Sequence, residues 1–319
     1  MKTFIIGEND QNQRLDKFLQ KSVPLLPKSL LYKSIRKKRI KVNGKKCELN
    51  YKLCQGDRLD LYLNDEFFSK TEELSFLSVP SSISVVYEDE QILLVNKPQG
   101  LVVHEDNDNT LDTLIHRVQH YLYEKGEYRP EQELSFAPAL CNRIDRNTCG
   151  IVIVAKTAEA LRIMNEKIKQ REITKKYLCL VLGTPSPKNA TLTHYLEKDA
   201  SLNKVRLYEQ PTPNAKTAIT QYRVLESRNG LSLVEVDLKT GRTHQIRAHM
   251  AYIGHPLLGD GKYGIHAENK KYGYKHQALC SSQLTFSFRS DAGALQYLDR
   301  KTFTVQNIWF VDEFRRMSP

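Results

Sequence analysis

The chain has 319 residues, of which 40% are hydrophobic and 27% are charged, and its formal net charge at pH 7 is +11. This length predicts two domains, and this composition is typical of a globular protein with an ordinary core. We expect no membrane partner and no secretion, because no run approaches the roughly 20 apolar residues of a spanning helix and the N-terminus lacks a signal-peptide pattern. The six cysteines are scattered without a C-x-x-C pair, which favours reduced thiols in a cytoplasmic protein.

Residues 1–65 predict a small α+β domain. The stretch "RLDKFLQK" sets Leu15, Phe18 and Leu19 on one helical face, and "KSLLYKSIRKKR" predicts a second short helix. In "IKVNGKKCEL" the pair Asn43 and Gly44 separates two strand-like runs, which predicts a hairpin with a tight turn. The stretch "GDRLDLYL" then predicts a closing strand whose leucines alternate with polar or aromatic residues.

The positive charge is concentrated in this first domain. Between Arg14 and Glu48 there are twelve Lys and Arg residues and two acids, which leaves a local balance of +10. A basic surface this dense attracts phosphate backbones by releasing their condensed counterions. The alternative interpretation is a solvated basic face that only keeps the protein soluble.

The pattern of residues 13–63 resembles the S4 RNA-binding domain, in which two small helices pack on a hairpin-rich sheet and a basic helix end lies beside the turn. The sequence departs from that family at Lys38, where a glycine is common before the strand. The resemblance implies that this domain docks on RNA. The side chains expected to contact RNA here are Arg14, Lys28, Arg36, Lys37, Lys38, Arg39, Lys41, Asn43 and Lys45.

The chain changes character after the first domain. Residues 66–82 are polar and acidic and end in Pro and Ser, a composition that predicts a linker. From residue 83 to 319, strand-like runs alternate with a few helical stretches, such as "TAEALRIMNEKIKQRE" capped by Thr157 and "RTHQIRAHMAYIG" ending at Gly254. Many strands with short connections predict an α+β domain with a mixed, largely antiparallel central sheet flanked by helices and loops.

Three segments of this second domain are candidates for chemistry. They are "NKPQGLVVHE" at 96–105, "NRIDRNTCG" at 142–150 and "LKTGRTHQIRAHMAYIGHPLLGD" at 238–260. In the second segment Asp145 lies between Arg143 and Arg146, with no other carboxylate near it in the sequence. Considered alone, that segment is equally consistent with a solvated ion-pair turn.

The third segment turns a strand into a helix whose first turns carry Arg242 and Arg247, an arrangement suited to an anion. Alone it is equally consistent with a structural turn that carries surface arginines. Its histidines, His244, His249 and His255, are spaced five and six residues apart, so they do not form the ligand pair of a zinc-binding H-E-x-x-H helix. We expect them to be hydrogen-bonding framework residues.

Other common chemistries lack their motifs in this sequence. There is no G-x-x-x-x-G-K-[ST] loop, no G-x-G-x-x-G fingerprint and no G-x-S-x-G elbow, so no nucleotide cofactor is expected. A glycosidase needs two carboxylates around one bond, and Asp145 has no partner close in sequence. A single carboxylate kept ionised by arginines suits covalent or electrostatic attack at a sugar carbon of a phosphate-bearing substrate.

The segment "NRIDRNTCG" resembles the "HRLDRxTSG" signature of the RluA-type pseudouridine synthases, which isomerise uridine to pseudouridine in RNA. The segments "KPQGLVVH" and "GRTHQIRAHMAYIGHPLLGD" occur in that family's order and spacing, so that the resemblance covers nearly all of residues 84–319. An S4 domain ahead of the catalytic domain is also that family's common arrangement. The resemblance implies an enzyme that uses no metal and no other cofactor.

The same resemblance implies roles for individual residues. Asp145 matches the catalytic aspartate, which attacks the nucleoside so that the uracil detaches, turns and rejoins through a ring carbon. Tyr177, in "TKKYLCLVLG", matches the tyrosine that stacks on the target base and is placed for proton transfer. Arg247 matches the arginine that forms a salt bridge with the aspartate, and Arg143 matches the one that fills the space left by the flipped-out nucleotide. Arg242 is expected to contact the RNA.

The sequence departs from the signature at three positions. Asn142 replaces the histidine, Ile144 the leucine and Cys149 the serine. Ile144 is a conservative core change, and the other two are still small polar or polarisable groups, so the loop should keep its shape. We expect the departures to influence rate and substrate preference more than the type of reaction.

The function expected from the sequence is therefore the isomerisation of specific uridines to pseudouridine in large-subunit (23S) ribosomal RNA or its precursor, by a monomer. Three alternatives stay open at this point. They are a non-catalytic RNA-binding factor for ribosome assembly, a transfer-RNA modifying enzyme, and a hydrolase that acts on nucleosides or glycans.

Overall fold

The computed structural model of the protein describes residues 1–68, 74–105, 110–199, 201–202 and 204–317. In the first domain two helices pack against a four-stranded antiparallel sheet of strand order β1-β4-β2-β3. Its elements are β1 (Lys2–Ile5), α1 (Leu15–Ser22), α2 (Lys28–Arg36), β2 (Ile40–Val42), β3 (Lys45–Lys46) and β4 (Arg58–Leu61).

In the first domain, the apolar face of α1 and the hairpin turn form where the local sequence predicts them. The three apolar residues predicted on the inner face of α1 are fully buried. Asn43 and Gly44 both have positive φ values, 51° and 72°, which is the backbone of a tight hairpin turn whose twist matches that of the strands. Lys38 has a φ of 58°, so it occupies a left-handed conformation that a glycine adopts without strain. The glycine that is common at this position in S4 domains therefore has a steric reason.

The segment predicted as a linker lies against both domains. Two short 3-10 turns, Asp65–Phe68 and Ser75–Ser78, lie within its described part. Phe68 packs on the core of the first domain. Phe76 is buried in the second domain, with its ring 5.8 Å from that of Tyr123 and 5.9 Å from that of Tyr128. The described residues of the segment thus contact both domains through aromatic side chains.

The second domain is built on a large sheet, which within the described residues has eleven strands. Its main path is β11-β10-β12-β13-β9-β14-β8-β6-β5, with β7 paired to β8 and β15 to β14. Only the β8–β14 pairing is parallel among these described strands, so the sheet is mixed and largely antiparallel, as predicted. The elements are β5 (Val85–Glu88), β6 (Ile92–Lys97), α3 (Leu114–Glu124), β7 (Ala139–Leu140), β8 (Cys149–Ala155), α4 (Ala158–Lys169), β9 (Ile173–Leu182), β10 (Asn189–Asp199), β11 (Lys204–Tyr208), β12 (Lys216–Arg228), β13 (Leu231–Leu238), α5 (Gln245–Tyr252), α6 (His266–Lys271), β14 (Leu279–Phe286), β15 (Thr302–Thr304) and α7 (Trp309–Arg316).

The two helices predicted in the second domain are present, but one begins later than expected. Thr157 caps α4, since its hydroxyl accepts the Ala160 N–H at 3.1 Å. Helix α5 is followed by Gly254 with a φ of 83°, as the stop signal predicts. The prediction that Arg242 lies in the first turns of this helix is wrong, because α5 starts at Gln245 and Arg242 belongs to the preceding loop.

The two domains are in direct contact through a short 3-10 turn at Glu8–Asp10. The Asn9 side chain accepts the Ala158 N–H at 3.1 Å at the start of α4. The Ser135 hydroxyl donates to Asp10 at 2.6 Å and accepts from Gln13 at 2.8 Å. These hydrogen bonds join the first domain to helix α4 and to the loop between α3 and β7 of the second domain.

No helix in the described part of the chain is both long and apolar enough to cross a membrane.

Candidate active site

A cleft of about 850 Å³ opens in the second domain, and it collects parts of the second and third sequence segments. One wall is the loop that contains Asp145, between β7 and β8. The floor includes Tyr177 on β9, and the other wall is formed by the end of β13, the following loop and the start of α5 with Arg247. Residues separated by about one hundred positions in sequence thus meet in one cavity.

The loop that contains Asp145 is supported by Lys97, which belongs to the segment at 96–105. The Lys97 side chain is fully buried and donates to the carbonyls of Pro98 and Leu101 at 2.8 Å and of Arg146 at 2.9 Å. Burial lowers the pKa of Lys97 to about 8. All three N–H donors of the ammonium group are thus used by carbonyl oxygens. Lys97 therefore fixes the backbone next to Asp145 and does not bind the Asp145 carboxylate.

The glycine at the end of the loop is required by close packing. Gly150 lies where β8 runs beside β14, with a φ of 107°. A Cβ at this position would lie 2.3 Å from the Ser281 carbonyl oxygen. The strand can therefore approach its parallel neighbour only with a glycine here, and this approach determines where the Asp145 loop ends.

The residues that depart from the family signature make structural contacts in the loop. The Asn142 side chain accepts the Ile153 N–H at 2.8 Å, which ties the loop to β8. The Cys149 thiol donates to the Leu279 carbonyl at 3.5 Å, which ties the same strand to β14. Ile144 is buried in the main core of the domain. The loop conformation is thus supported by the substituted residues.

The carboxylate of Asp145 forms an ion pair with Arg247, as predicted. The distance from Arg247 Nη1 to Asp145 Oδ2 is 2.9 Å. The other edge of the guanidinium donates to Asp260, with Nε to Oδ2 at 2.7 Å and Nη2 to Oδ1 at 2.9 Å. Asp260 is fully buried, and its Oδ1 also accepts the backbone N–H groups of Lys262 and Tyr263. A bidentate pair of this kind fixes the guanidinium plane and directs its remaining nitrogen at Asp145.

The electrostatics of this chain of charges follow from burial and pairing. Burial opposes the charge of Arg247, yet its hydrogen bonds with Asp260 and the charges of Asp260 and Asp145 hold the arginine pKa above its ordinary value. Burial likewise opposes the charge of Asp260, and Arg247 outweighs it, so that the pKa of Asp260 is lower than usual. Sequence reasoning missed Asp260, although the residue stands in the quoted "HPLLGD" stretch, because nothing in that pattern shows that it is buried.

Tyr177 lies on the floor of the cleft with 6% of its surface exposed. Burial, reinforced by the negative charge of Asp145, raises the pKa of Tyr177 to about 12. The side chain is therefore a neutral phenol at physiological pH, and its ring presents an apolar face inside a polar cavity. Such a ring can stack on a base, and its hydroxyl can donate a hydrogen bond.

His244 is a neighbour of the ion pair that the sequence did not single out for this place. Its backbone is left-handed, with a φ of 51°, and its Nδ1 lies 3.0 Å from the Tyr263 hydroxyl. Its Nε2 is 3.9 Å from Asp145 Oδ2, too far for a hydrogen bond. Burial lowers the pKa of His244 to about 4, so the ring is neutral at physiological pH.

The three histidines form hydrogen bonds within the framework, as expected. Besides His244, the Nδ1 atom of His249 lies 2.7 Å from the Thr220 hydroxyl, and that of His255 lies 2.8 Å from the Leu182 carbonyl. Within the ranges that the structure describes, no group of three or more His, Cys, Asp or Glu side chains could hold a metal ion.

The two arginines predicted to contact RNA near the cleft lie on its walls. Arg143 is exposed and lines the cavity on the Asp145 side. Arg242 is exposed on the opposite wall, and its Nε donates to the Thr217 carbonyl at 3.0 Å. Both side chains are therefore exposed on the walls of the cleft.

The basic residues predicted to bind RNA in the first domain lie mainly on its surface. The Lys41 ammonium group is 5.5 Å from the centre of the Tyr62 ring. Asn43 differs from the others, because its amide binds Asp57 and the Arg58 N–H within the hairpin. The predicted cationic side chains that are exposed are Arg14, Lys28, Arg36, Lys37, Lys38, Arg39 and Lys45. Of these, Arg14 is paired with Asp16 at 2.8 Å.

Comparison with known proteins agrees with this architecture. The model of the RNA pseudouridylate synthase family matches residues 91–252, and that of the S4 domain matches residues 13–59. Together they define an enzyme that acts on RNA and carries an RNA-binding domain. The chain belongs to the RNA pseudouridylate synthase family, as its resemblance to the RluA-type enzymes predicts.

Individual relatives cover most of the chain. An uncharacterised RNA pseudouridine synthase of Mycoplasma genitalium is 33% identical over 289 residues, which are 89% of this chain and 88% of that protein. The ribosomal large subunit pseudouridine synthase D of Escherichia coli is 34% identical over 264 residues, which are 82% of this chain and 76% of that protein. The structure of human RNA pseudouridylate synthase domain containing 4 shares the fold, with a TM-score of 0.55 and 23% identity over 70% of this chain and 88% of the human one.

Proposed function

We propose that this enzyme converts specific uridines of large-subunit ribosomal RNA into pseudouridine, with Asp145 as the nucleophile. The observation that supports the proposal most strongly is the charge chain Asp145–Arg247–Asp260, with its 2.9 Å contact between Arg247 and Asp145 inside the cleft. A buried arginine held on one side and directed at a partly exposed carboxylate on the other is an arrangement for positioning that carboxylate.

The proposed reaction is a rearrangement in which no atom is gained or lost. The Asp145 carboxylate attacks the ribose C1′, and the bond between C1′ and the uracil N1 breaks. The uracil turns within the site, and a new bond forms between C1′ and the ring carbon C5 as the bond between C1′ and the Asp145 oxygen breaks, which regenerates the carboxylate. The proton that leaves C5 is balanced by the one that N1 takes up. One carboxylate suffices, because the leaving base is also the base that returns.

Other residues of the cleft are assigned supporting tasks in this proposal. Tyr177 stacks on the flipped uracil and, as a neutral phenol, donates a hydrogen bond or proton while the base turns. Arg247 keeps the carboxylate ionised and oriented. Arg143 enters the space that the extruded nucleotide leaves in the RNA, for which its exposed place on the cleft wall is suited. Extrusion is needed because a glycosidic bond within a stacked helix is out of reach.

The choice of RNA rests on two findings of different kinds. The exposed basic surface of the S4 domain suits a large folded RNA, which offers many phosphates in a fixed arrangement. A relative that is 34% identical over 82% of this chain is named as acting on the ribosomal large subunit. Both support large-subunit ribosomal RNA as the substrate.

The experiment that tests the proposal maps pseudouridines in total RNA from cells with and without the gene, and in cells that carry Asp145→Asn. We expect at least one large-subunit site to be lost in both altered strains, while the purified variant still binds ribosomal RNA nearly as well as the wild type does. Pseudouridine formation by Asp145→Asn would contradict the assigned nucleophile. Loss confined to transfer RNA would contradict the assigned substrate.

A further inference from the structure

Lys175 is a cationic residue of the cleft that has no role in the proposed reaction. It lies on β9, two residues before Tyr177, and lines the same cavity. Side chains two positions apart on a strand point to the same face, with their Cα atoms about 6–7 Å apart. Lys175 is half-buried, so it is partly shielded from water within the cavity that holds Asp145 and Tyr177.

Lysines next to Lys175 in the chain or on the lining of the cleft have acidic partners. Lys176, the next residue, is paired with Glu235 at 3.3 Å, and Lys239 is paired with Asp237. Lys175 has no carboxylate within salt-bridge distance among the residues that the structure describes. Its titratable neighbour is the Cys141 thiol, and burial raises the pKa of Cys141 to about 12. A neutral thiol supplies no negative charge to balance the ammonium.

The lining of the cleft carries further cations besides the lysines just described. Arg143 and Arg171 are exposed on the same lining. Burial removes water from around the ammonium group of Lys175, and this lowers its pKa. A half-buried ammonium group without a partner is unfavourable unless a ligand brings the missing anion. The anion that an RNA strand carries into this cleft is its phosphodiester.

We propose that Lys175 binds a backbone phosphate that flanks the target uridine, with Arg143 and Arg171 at the edges of this phosphate subsite. The inference rests on the proposed function, since it takes the occupant of the cleft to be RNA. The flanking phosphates are attached to the same ribose that carries the reacting C1′. A fixed charge at this phosphate would therefore set the position of the sugar relative to Asp145.

The test compares Lys175→Met and Lys175→Gln with Lys175→Arg and with Lys176→Met. Lys176→Met is a matched control, since it removes one positive charge from the adjacent residue and leaves Glu235 paired with Arg223. Binding to large-subunit ribosomal RNA transcribed in vitro is measured between about 50 and 200 mM salt. The kcat and KM for pseudouridine formation and the thermal unfolding of each variant are measured alongside.

We expect Lys175→Met and Lys175→Gln to weaken binding roughly ten- to a hundredfold and to lower the salt slope of log K by about one. KM should rise more than kcat falls, and Lys175→Arg should keep the wild-type slope. An unchanged slope in both neutral variants, or an equal change in Lys176→Met, would overturn the proposal. Two neutral residues of different packing guard against a simple folding defect.

The salt slope does not depend on turnover, so the two proposals can fail separately. If Asp145→Asn retained activity, the assigned nucleophile would be wrong while the Lys175 slope still reported on the phosphate contact. If both neutral Lys175 variants kept the slope, the phosphate subsite would be wrong even in an enzyme that makes pseudouridine through Asp145.

Discussion

The S4 domain and the cleft handle positive charge in opposite ways. At the end of α2, Arg36, Lys37 and Arg39 are exposed to solvent, where each charge is hydrated and screened by salt. In the cleft, Arg247 has 5% of its surface exposed and is enclosed by Asp145 and Asp260. Exposed cations provide affinity for any phosphate backbone, whereas a buried, doubly paired cation provides geometry. Recognition and chemistry are thus carried by charges in different environments.

The largest effect is expected from removing the buried cation. Arg247→Met should lower kcat/KM roughly a hundred- to a thousandfold and destabilise the fold by about 3–5 kcal/mol, because it leaves the carboxylate of Asp260 buried without its partner. Kinetics and denaturant unfolding measure the two effects. Arg223→Met serves as the control, since Arg223 is paired with Glu235 at an exposed position and should change stability by less than about 1 kcal/mol. Equal stability losses would show that the buried and the exposed arginine do not differ in their contribution to the fold.

The stability of the fold is expected to depend on pH, because two buried histidines are neutral in the folded protein. Burial lowers the pKa of both His244 and His249 to about 4. An unperturbed histidine has a pKa of about 6.5. Below that pH the histidines of the unfolded chain bind protons, whereas those of the folded chain stay neutral, so the free energy of unfolding falls as the pH decreases from 6.5 toward 4. The loss for one such histidine is roughly 3 kcal/mol.

Unfolding measured across this pH range tests the point on one residue. His249→Gln should flatten the dependence relative to the wild type, and His266→Gln, at an exposed position, should leave it unchanged. A steep decline that persists in His249→Gln would assign the effect to other groups.

A smaller effect on rate is expected from Asp260→Asn, which keeps the shape of the residue and removes its charge. Arg247 would lose the charged half of its bidentate anchor, so kcat should fall about ten- to a hundredfold while RNA affinity stays the same. Steady-state kinetics and equilibrium binding separate the two quantities. Loss of RNA affinity with unchanged kcat would show that Asp260 does not act through the Asp145–Arg247 pair.

The mildest effect is expected at the exposed surface. Reversing the charge at Arg36, Lys37 and Arg39 should weaken RNA binding by about tenfold at moderate salt and flatten its salt dependence. Binding titrations at several salt concentrations measure both. Because these side chains are exposed, thermal unfolding should be nearly unchanged. If affinity and salt slope stayed at wild-type values, the S4 domain would not have the docking role proposed for it.

The sequence predicted well those elements that depend on neighbouring residues. The apolar spacing of α1, the Asn43-Gly44 turn and the Thr157 cap are each encoded within a few residues, and the structure contains all three. The sequence marks the β10 strand only weakly, since Leu196 alone among its residues is buried and its apolar alternation is weak. The start of α5 was predicted too early because the loop before it holds His244 in a left-handed conformation.

The partners of the charged residues could not be predicted from the sequence alone. By itself, the lone Asp145 between two arginines was equally consistent with an ion-pair turn, and the family resemblance supplied Arg247 as its partner. Only the tertiary structure brought in Asp260, since the burial of a charge depends on distant chain segments that pack around it. Lys175 and Lys176 make the same point in adjacent positions. They are identical residues in the sequence, and the fold gives a carboxylate partner to Lys176 while Lys175 has none among the described residues.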